Sequence, residues 1–137
     1  MKEVERFGVS IPRDLLTKFD KLIAKKGYNS RSEAIRDLMR DNIVEQAVAE
    51  GKEVAGTLTI IYDHHTRDLS DKLNDIQHDH CHNIISTTHI HMDQHSCLEV
   101  LVLKGKSKEV QAIADKLIST RGVKHGKLVM TATGKDI

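Results

Sequence analysis

The sequence predicts an α+β chain in two parts, a small strand–helix–helix unit followed by a β-α-β-β-α-β unit. Three observations carry this. Residues 5–11 (ERFGVSI) alternate apolar and polar before Pro12, the chain's one proline, and two helical stripes follow. The polar stretch 49–53 (AEGKE) then breaks the pattern. Beyond it, β-rich and amphipathic segments alternate with turn signals between them.

In the first part, Phe7, Val9 and Ile11 face one way on a strand, and Arg6, Gly8 and Ser10 face the other. Pro12 ends the strand because it cannot donate to a ladder. Leu15, Leu16, Phe19, Leu22 and Ile23 then repeat with helical period, and Gly27 supplies a stop. Ser30 with Glu33 forms a capping-box pattern that starts a second helix reaching about Val48. A lone strand cannot make a sheet, and so short a unit cannot bury a core of its own. The simplest partner is the same strand of a second copy. Two such strands form an antiparallel ribbon, with Arg6, Gly8 and Ser10 outward, and a two-stranded ribbon fits the DNA major groove.

The second part reads as a strand over 54–62, a helix from 63 to about 79, strands over 84–93 and 97–103, a helix capped by Ser107, and a last strand over 123–131. That order is the ferredoxin-like arrangement, with two helices on one sheet face and the other free to meet another chain. The expected domains are therefore residues 1–48 and 54–137.

Composition excludes several classes. Net charge is only +1, split as +2 over residues 1–48 and −1 over the remainder, so bulk charge makes no case for nucleic acid. No run approaches the ~20 apolar residues of a membrane span. The N-terminal MKEVERFGVS lacks an apolar signal core, so a cytoplasmic protein is expected. Two cysteines in such a chain argue for thiols rather than a structural disulfide.

The chemistry is concentrated in one stretch. His78 to Cys97 (HDHCHNIISTTHIHMDQHSC) holds six of the nine histidines and both cysteines. His89 and His91 are two apart on a strand and leave the same face, and Cys97 begins the next strand across a hairpin. These three can converge on one metal. His78, or one of His80, Cys81 and His82, could complete a four-ligand site within the chain or from a neighbour. Thiolate with imidazole excludes Ca²⁺ and Mg²⁺ and suits Zn²⁺, Ni²⁺, Cu²⁺ or Co²⁺, with spacing alone not choosing among them. His64, His65 and His125 are expected to be ordinary surface histidines.

Two resemblances sharpen these expectations. R-x-x-V-S-I-P-x-x-L-L followed by G-Y-x-x-R-S-E-A-I-R-D resembles a ribbon–helix–helix repressor domain. The resemblance implies that Arg6, Gly8 and Ser10 line the base-reading face, and that Ser30, Arg31 and the helix start they belong to hold phosphate. Gly8 stands where relatives commonly have Ser or Thr, which leaves Arg6 and Ser10 to reach bases. The whole chain is similar to the nickel-responsive transcription regulator family (NikR), through GYNSRSEAIRDL at 27–38, THIHMDQHSCLEVLVLKG at 88–105 and TRGVKHG at 120–126.

That similarity implies an ACT-like second domain in a homotetramer, a dimer of dimers. It implies Ni²⁺ in a square-planar site made by His89, His91 and Cys97 of one chain and His78 of a facing chain. It also implies a second cation site, with Glu33 and Asp37 as acidic ligands and carbonyls from Ile118, Thr120 and Val123. The function it implies is a repressor, not an enzyme, whose Ni²⁺ binding at the tetramer interface promotes binding to a double-stranded operator with paired half-sites. A small cytosolic metal chaperone or storage protein is the alternative.

Overall fold

The computed structural model describes residues 3–135 and 137. Its elements run α1 (Arg13–Lys25), α2 (Arg31–Ala49), β1 (Glu53–Tyr62), α3 (Leu69–Asp79), β2 (Ile84–His91), β3 (Cys97–Lys106), α4 (Ser107–Ile118) and β4 (Val123–Thr131). The chain divides into two compact units, one ending at Asp41 and the other running Asn42–Ile137.

In the first unit, residues 3–12 carry no regular secondary structure where the alternation predicts a strand. The difference is physical: the unit holds no second strand within the chain, so the segment has no ladder to join. Both helices are punctuated as expected. Gly27 takes φ 88, Tyr28 N–H donates to Ile23 O at 3.0 Å, and Gly27 N–H donates to Ala24 O at 3.1 Å. This is a Schellman closure of α1, and the positive φ is why a glycine stands there. At the start of α2, Glu33 N–H donates to Ser30 Oγ at 3.2 Å. The Glu33 carboxylate reaches back to the N–H of Asn29 rather than of Ser30, at 3.3 Å. Arg31 forks onto Asp20 with two bonds of 2.9 and 2.8 Å and so ties α2 to α1.

Among the described residues of this unit, only Ile23 and Ala34 are buried. Val4, Phe7, Val9, Leu15 and Leu22 stand exposed, and an apolar groove of about 790 Å³ opens between residues 9–12, α1 and α2.

The second unit is a four-stranded antiparallel sheet in the order β2-β3-β1-β4. With α3 and α4 in their places this is the ferredoxin-like fold. Along β3 the residues alternate buried and half-buried, so Cys97, Glu99, Leu101 and Leu103 point into the core. There they join Leu58, Ile60 and Tyr62 of β1, Leu69 and Leu73 of α3, and Val110, Ile113 and Leu117 of α4. The opposite face carries Leu98, Val100 and Val102, half-buried, with Ile90 and Val129 exposed.

The helix expected from residue 63 begins at Leu69. The intervening corner is held by turns, with Asp63 Oδ1 accepting from His65 N–H at 2.9 Å and Thr66 N–H donating to Asp63 O at 3.0 Å. An Asp side chain that captures a backbone N–H two residues on favours a turn over a helix. The strand expected over 84–93 ends at His91, and the one expected over 97–103 continues to Lys106. Among the described residues no helix is long and apolar enough to cross a membrane.

Candidate metal centre and nucleic-acid face

The hairpin β2–β3 sets the geometry of the metal-ligand candidates. His91 pairs with Cys97 and His89 with Glu99 across the ladder, and Cys97 pairs on its other side with Tyr62. Directly opposed residues share a face. His89, His91, Cys97, Glu99 and Tyr62 therefore all stand on the helix-covered face, at the end of the sheet where β3 begins. Cys97 is buried, whereas His89 and His91, on the edge strand β2, are exposed.

Glu99 is the hub of this end. Its carboxylate is wholly buried and accepts from Tyr62 Oη at 2.9 Å and from Gln77 Nε2 at 2.7 Å. His89 Nε2 lies 3.3 Å from Glu99 Oε1, and His89 Nδ1 lies 3.4 Å from Tyr62 Oη. Thr87 Oγ1 donates to Gln77 Oε1 at 3.3 Å. Burial first, then the hydrogen bond to Glu99, holds the Tyr62 phenol protonated far above its ordinary range. A buried carboxylate costs much unless its oxygens are satisfied, and here donors from β1 and α3 satisfy them. Sequence reasoning missed Tyr62 and Gln77 and gave Glu99 no place behind His89. The signal was present: Glu99 falls at an inward position of a strand otherwise apolar on that face.

His78 follows Gln77 in the last turn of α3 and is exposed, as are Cys81 and His82 just beyond, while His80 is half-buried. Both ring nitrogens of His89 face network oxygens. Among the described residues, the trio whose donor atoms lie within 4.8 Å of one another is a different one, Asp63, His64 and His65.

The donor chemistry fits Ni²⁺: two imidazoles and a thiol on one face of one hairpin, with a carboxylate behind His89. A ligating histidine commonly gives its other ring N–H to such a carboxylate, which fixes ring orientation.

On the nucleic-acid side, Arg6, Gly8 and Ser10 are exposed, and a side chain at Gly8 would meet nothing within 4 Å. Ser30 caps α2, and the Arg31 guanidinium is engaged by Asp20. Of the acids expected at a second cation site, Glu33 serves the α2 cap, and Asp37 accepts from Tyr28 Oη at 2.6 Å with Arg40 at 3.5 Å. Ile118 ends α4, Val123 opens β4, and between them the Thr120 carbonyl accepts from Val123 N–H at 3.0 Å.

The chain thus joins two helices lined by an open apolar groove to a ferredoxin-like domain carrying a His/Cys hairpin, a pairing that suits a regulator with an appended metal-binding domain. Comparison with known proteins matches both halves. Residues 55–131 match the family described as NikR C terminal nickel binding domain, and residues 5–53 match the ribbon-helix-helix protein, copG family. A protein of Thermococcus kodakarensis named as a nickel-responsive regulator is 58% identical over 98% of this chain and 99% of its own. One of Geotalea uraniireducens with the same name is 58% identical over 100% and 99%. An uncharacterized protein of Thermotoga maritima shares the fold alone, with a TM-score of 0.52 at 21% identity over 58% of this chain and 98% of that one. The chain belongs to the nickel-responsive regulator family.

Proposed function

We propose that this protein is a Ni²⁺-responsive repressor in which metal capture and operator binding favour the same tetrameric arrangement. Residues 1–48 serve as the DNA-binding domain and residues 54–137 as the metal-binding and tetramerisation domain. It acts in the cytoplasm by binding, not by catalysis. The observation that carries this is the register of β2 on β3, which puts His89 and His91 on the face of Cys97.

In this reading His89, His91 and Cys97 of one chain hold Ni²⁺ together with His78 of a facing chain. Ni²⁺ held there would link two chains. The remaining work falls to the protein. Glu99 accepts from Gln77, the residue before His78, and also stands beside His89. It thereby connects the end of α3 to the ligand hairpin. To bind metal, His89 frees one ring nitrogen from its oxygen partner while Glu99 or Tyr62 keeps hold of the other.

In the first domain, Phe7, Val9, Leu15 and Leu22 are apolar and exposed in the single chain, and a second copy laying residues 5–11 beside its own covers them. That pairing turns Arg6, Gly8 and Ser10 of both chains outward to the major groove of an operator half-site, and two such dimers engage paired half-sites. The N–H groups at Ser30 to Glu33 open a helix and favour phosphate. Coupling between metal and DNA is reciprocal and typically ~1–3 kcal/mol per pair of sites.

A gel-shift titration of an operator fragment, with and without Ni²⁺, tests the proposal. Tighter binding with Ni²⁺ is expected, and equal affinity in both arms would overturn it. His89→Ala should remove tight Ni²⁺ binding from a folded protein.

A further inference from the structure

The ligand hairpin has a carboxylate within coordinating reach that the Ni²⁺ reading does not use as a ligand. Glu99 pairs with His89 across the ladder and stands two residues from Cys97 on one strand, so it shares the face of both. Glu99 Oε1 lies 3.3 Å from His89 Nε2. Metal bonds to imidazole nitrogen and carboxylate oxygen run about 2.0–2.2 Å, which puts two neighbouring donors on one ion about 3.0–3.5 Å apart. The imidazole and the carboxylate already have that spacing. An ion arriving at His89 Nε2 therefore meets an oxygen placed as a ligand would be. For the site to stay one of nitrogen and sulfur, that oxygen has to be held back.

Two donors hold it. Gln77 Nε2 donates to Oε1 at 2.7 Å, and Tyr62 Oη donates to Oε2 at 2.9 Å. Their settings differ. Gln77 is half-buried near the end of α3. Tyr62 is buried, and it ends β1, an inner strand of the sheet, directly opposite Cys97. A carboxylate gripped from that strand cannot turn without leaving its donor unpaired in the core.

We propose that Tyr62 is a positioning residue that sets metal choice: its phenol O–H pins the Glu99 carboxylate outside the coordination shell and keeps the hairpin for an ion that accepts four nitrogen and sulfur donors in a plane. Ni²⁺ accepts such a set, whereas Zn²⁺ favours a tetrahedral one and takes carboxylate oxygen readily. Without the phenol, Glu99 turns about its own side-chain bonds and adds an oxygen to the donors of His89, His91 and Cys97. That set favours Zn²⁺. Glu99 is thus a latent ligand, and Tyr62 acts through it.

The inference rests on the reading of His89, His91 and Cys97 as ligands. Competition titrations of the full chain with Ni²⁺ and with Zn²⁺, each against a chromophoric chelator, give the ratio of the two affinities. In Tyr62→Phe, which keeps the ring, the ratio should move toward Zn²⁺ by about tenfold or more, the usual scale for a residue behind a ligand. Adding Tyr62→Phe to Glu99→Gln should leave the ratio where Glu99→Gln alone puts it, because a neutral amide is a poor ligand. A purely structural role would lower both affinities together and leave the ratio unmoved. If urea unfolding shows that Tyr62→Phe does not fold, Gln77→Leu removes the other donor and should move the ratio the same way. An unmoved ratio in the folded variant would overturn the pin, as would an equal shift in the Glu99→Gln background. His89→Ala separates this outcome from failure of the ligand reading. Tight binding that survives His89→Ala would sink the ligand set and the pin with it, whereas tight binding that His89→Ala removes, with the ratio unmoved, sinks the pin alone.

Discussion

The two units of this chain treat their apolar residues in opposite ways. In the second, Leu58, Ile60, Leu101, Leu103 and Leu117 are fully buried, and sheet and helices close a core within one chain. In the first, Phe7 is 68% exposed, Val9 64% and Leu15 58%. Burying an apolar side chain contributes about 1.5–3 kcal/mol. The second unit collects that within a single chain. The first has the right residues and collects little of it. The second closes its core by itself, whereas in the proposed reading the first is half of a domain that a second copy completes.

The largest effect expected from this contrast is in the closed core. Leu58→Ala should destabilise the second unit by about 2–5 kcal/mol, seen as a lower midpoint in urea with the slope unchanged. That loss should not depend on protein concentration. A cost under about 1 kcal/mol would mean that the core is not closed within the chain.

Phe7→Ala should cost less, about 1.5–3 kcal/mol per chain, in a first unit whose unfolding depends on protein concentration in wild type and variant alike. An exposed residue with no partner would change stability by no more than about 0.5 kcal/mol. A result that small, at every concentration, would erase the difference between the two units.

Legibility in the sequence divides along the same line. The β-α-β-β-α-β order could be read because each segment is periodic and its turns are signalled, and strand 123–131 lies where its pattern puts it; Ser107, expected as a helix cap, is instead the first residue of α4, its hydroxyl donating to Val48 O at 2.7 Å. The 63–68 corner could not, since Leu69, Leu73 and Ile76 suggest a helix and nothing in that stripe reveals that Asp63 takes the His65 N–H for a turn. The 5–11 alternation is a strand pattern whose hydrogen-bond partner the single chain does not contain.

At the candidate metal centre, strand alternation and the hairpin were enough to put His89, His91 and Cys97 on one face. The residues behind them were not legible, because Tyr62 and Gln77 stand 37 and 22 positions from Glu99 in sequence and meet it only in the fold. Glu99→Gln sharpens this point. It should weaken Ni²⁺ binding about 10–100-fold by loosening the orientation of His89, for about 1 kcal/mol of stability. Isothermal titration alongside urea unfolding separates the two, and unchanged Ni²⁺ affinity would reduce Glu99 to a buried structural carboxylate.

The smallest structural effect is expected at Arg31. Its fork onto Asp20 is exposed on both sides, and such pairs contribute little to stability. The Arg31 hydrogen bond holds the Asp20 carboxyl below its ordinary range. The pair's contribution is therefore present above the ordinary carboxylate range and fades as pH falls through Asp20's lowered pKa. Arg31→Ala should flatten that acid-side dependence and leave neutral-pH unfolding almost unchanged. Its cost should fall instead on DNA. If Arg31 leaves Asp20 for a phosphate, the variant binds all operator sequences more weakly and its salt slope drops by about 1. An unchanged salt slope would make Arg31 a helix tie and leave phosphate to the N–H groups at the start of α2. The exposed half-domain would then grip DNA through backbone that any dimer of this shape presents, with sequence read by Arg6 and Ser10 alone.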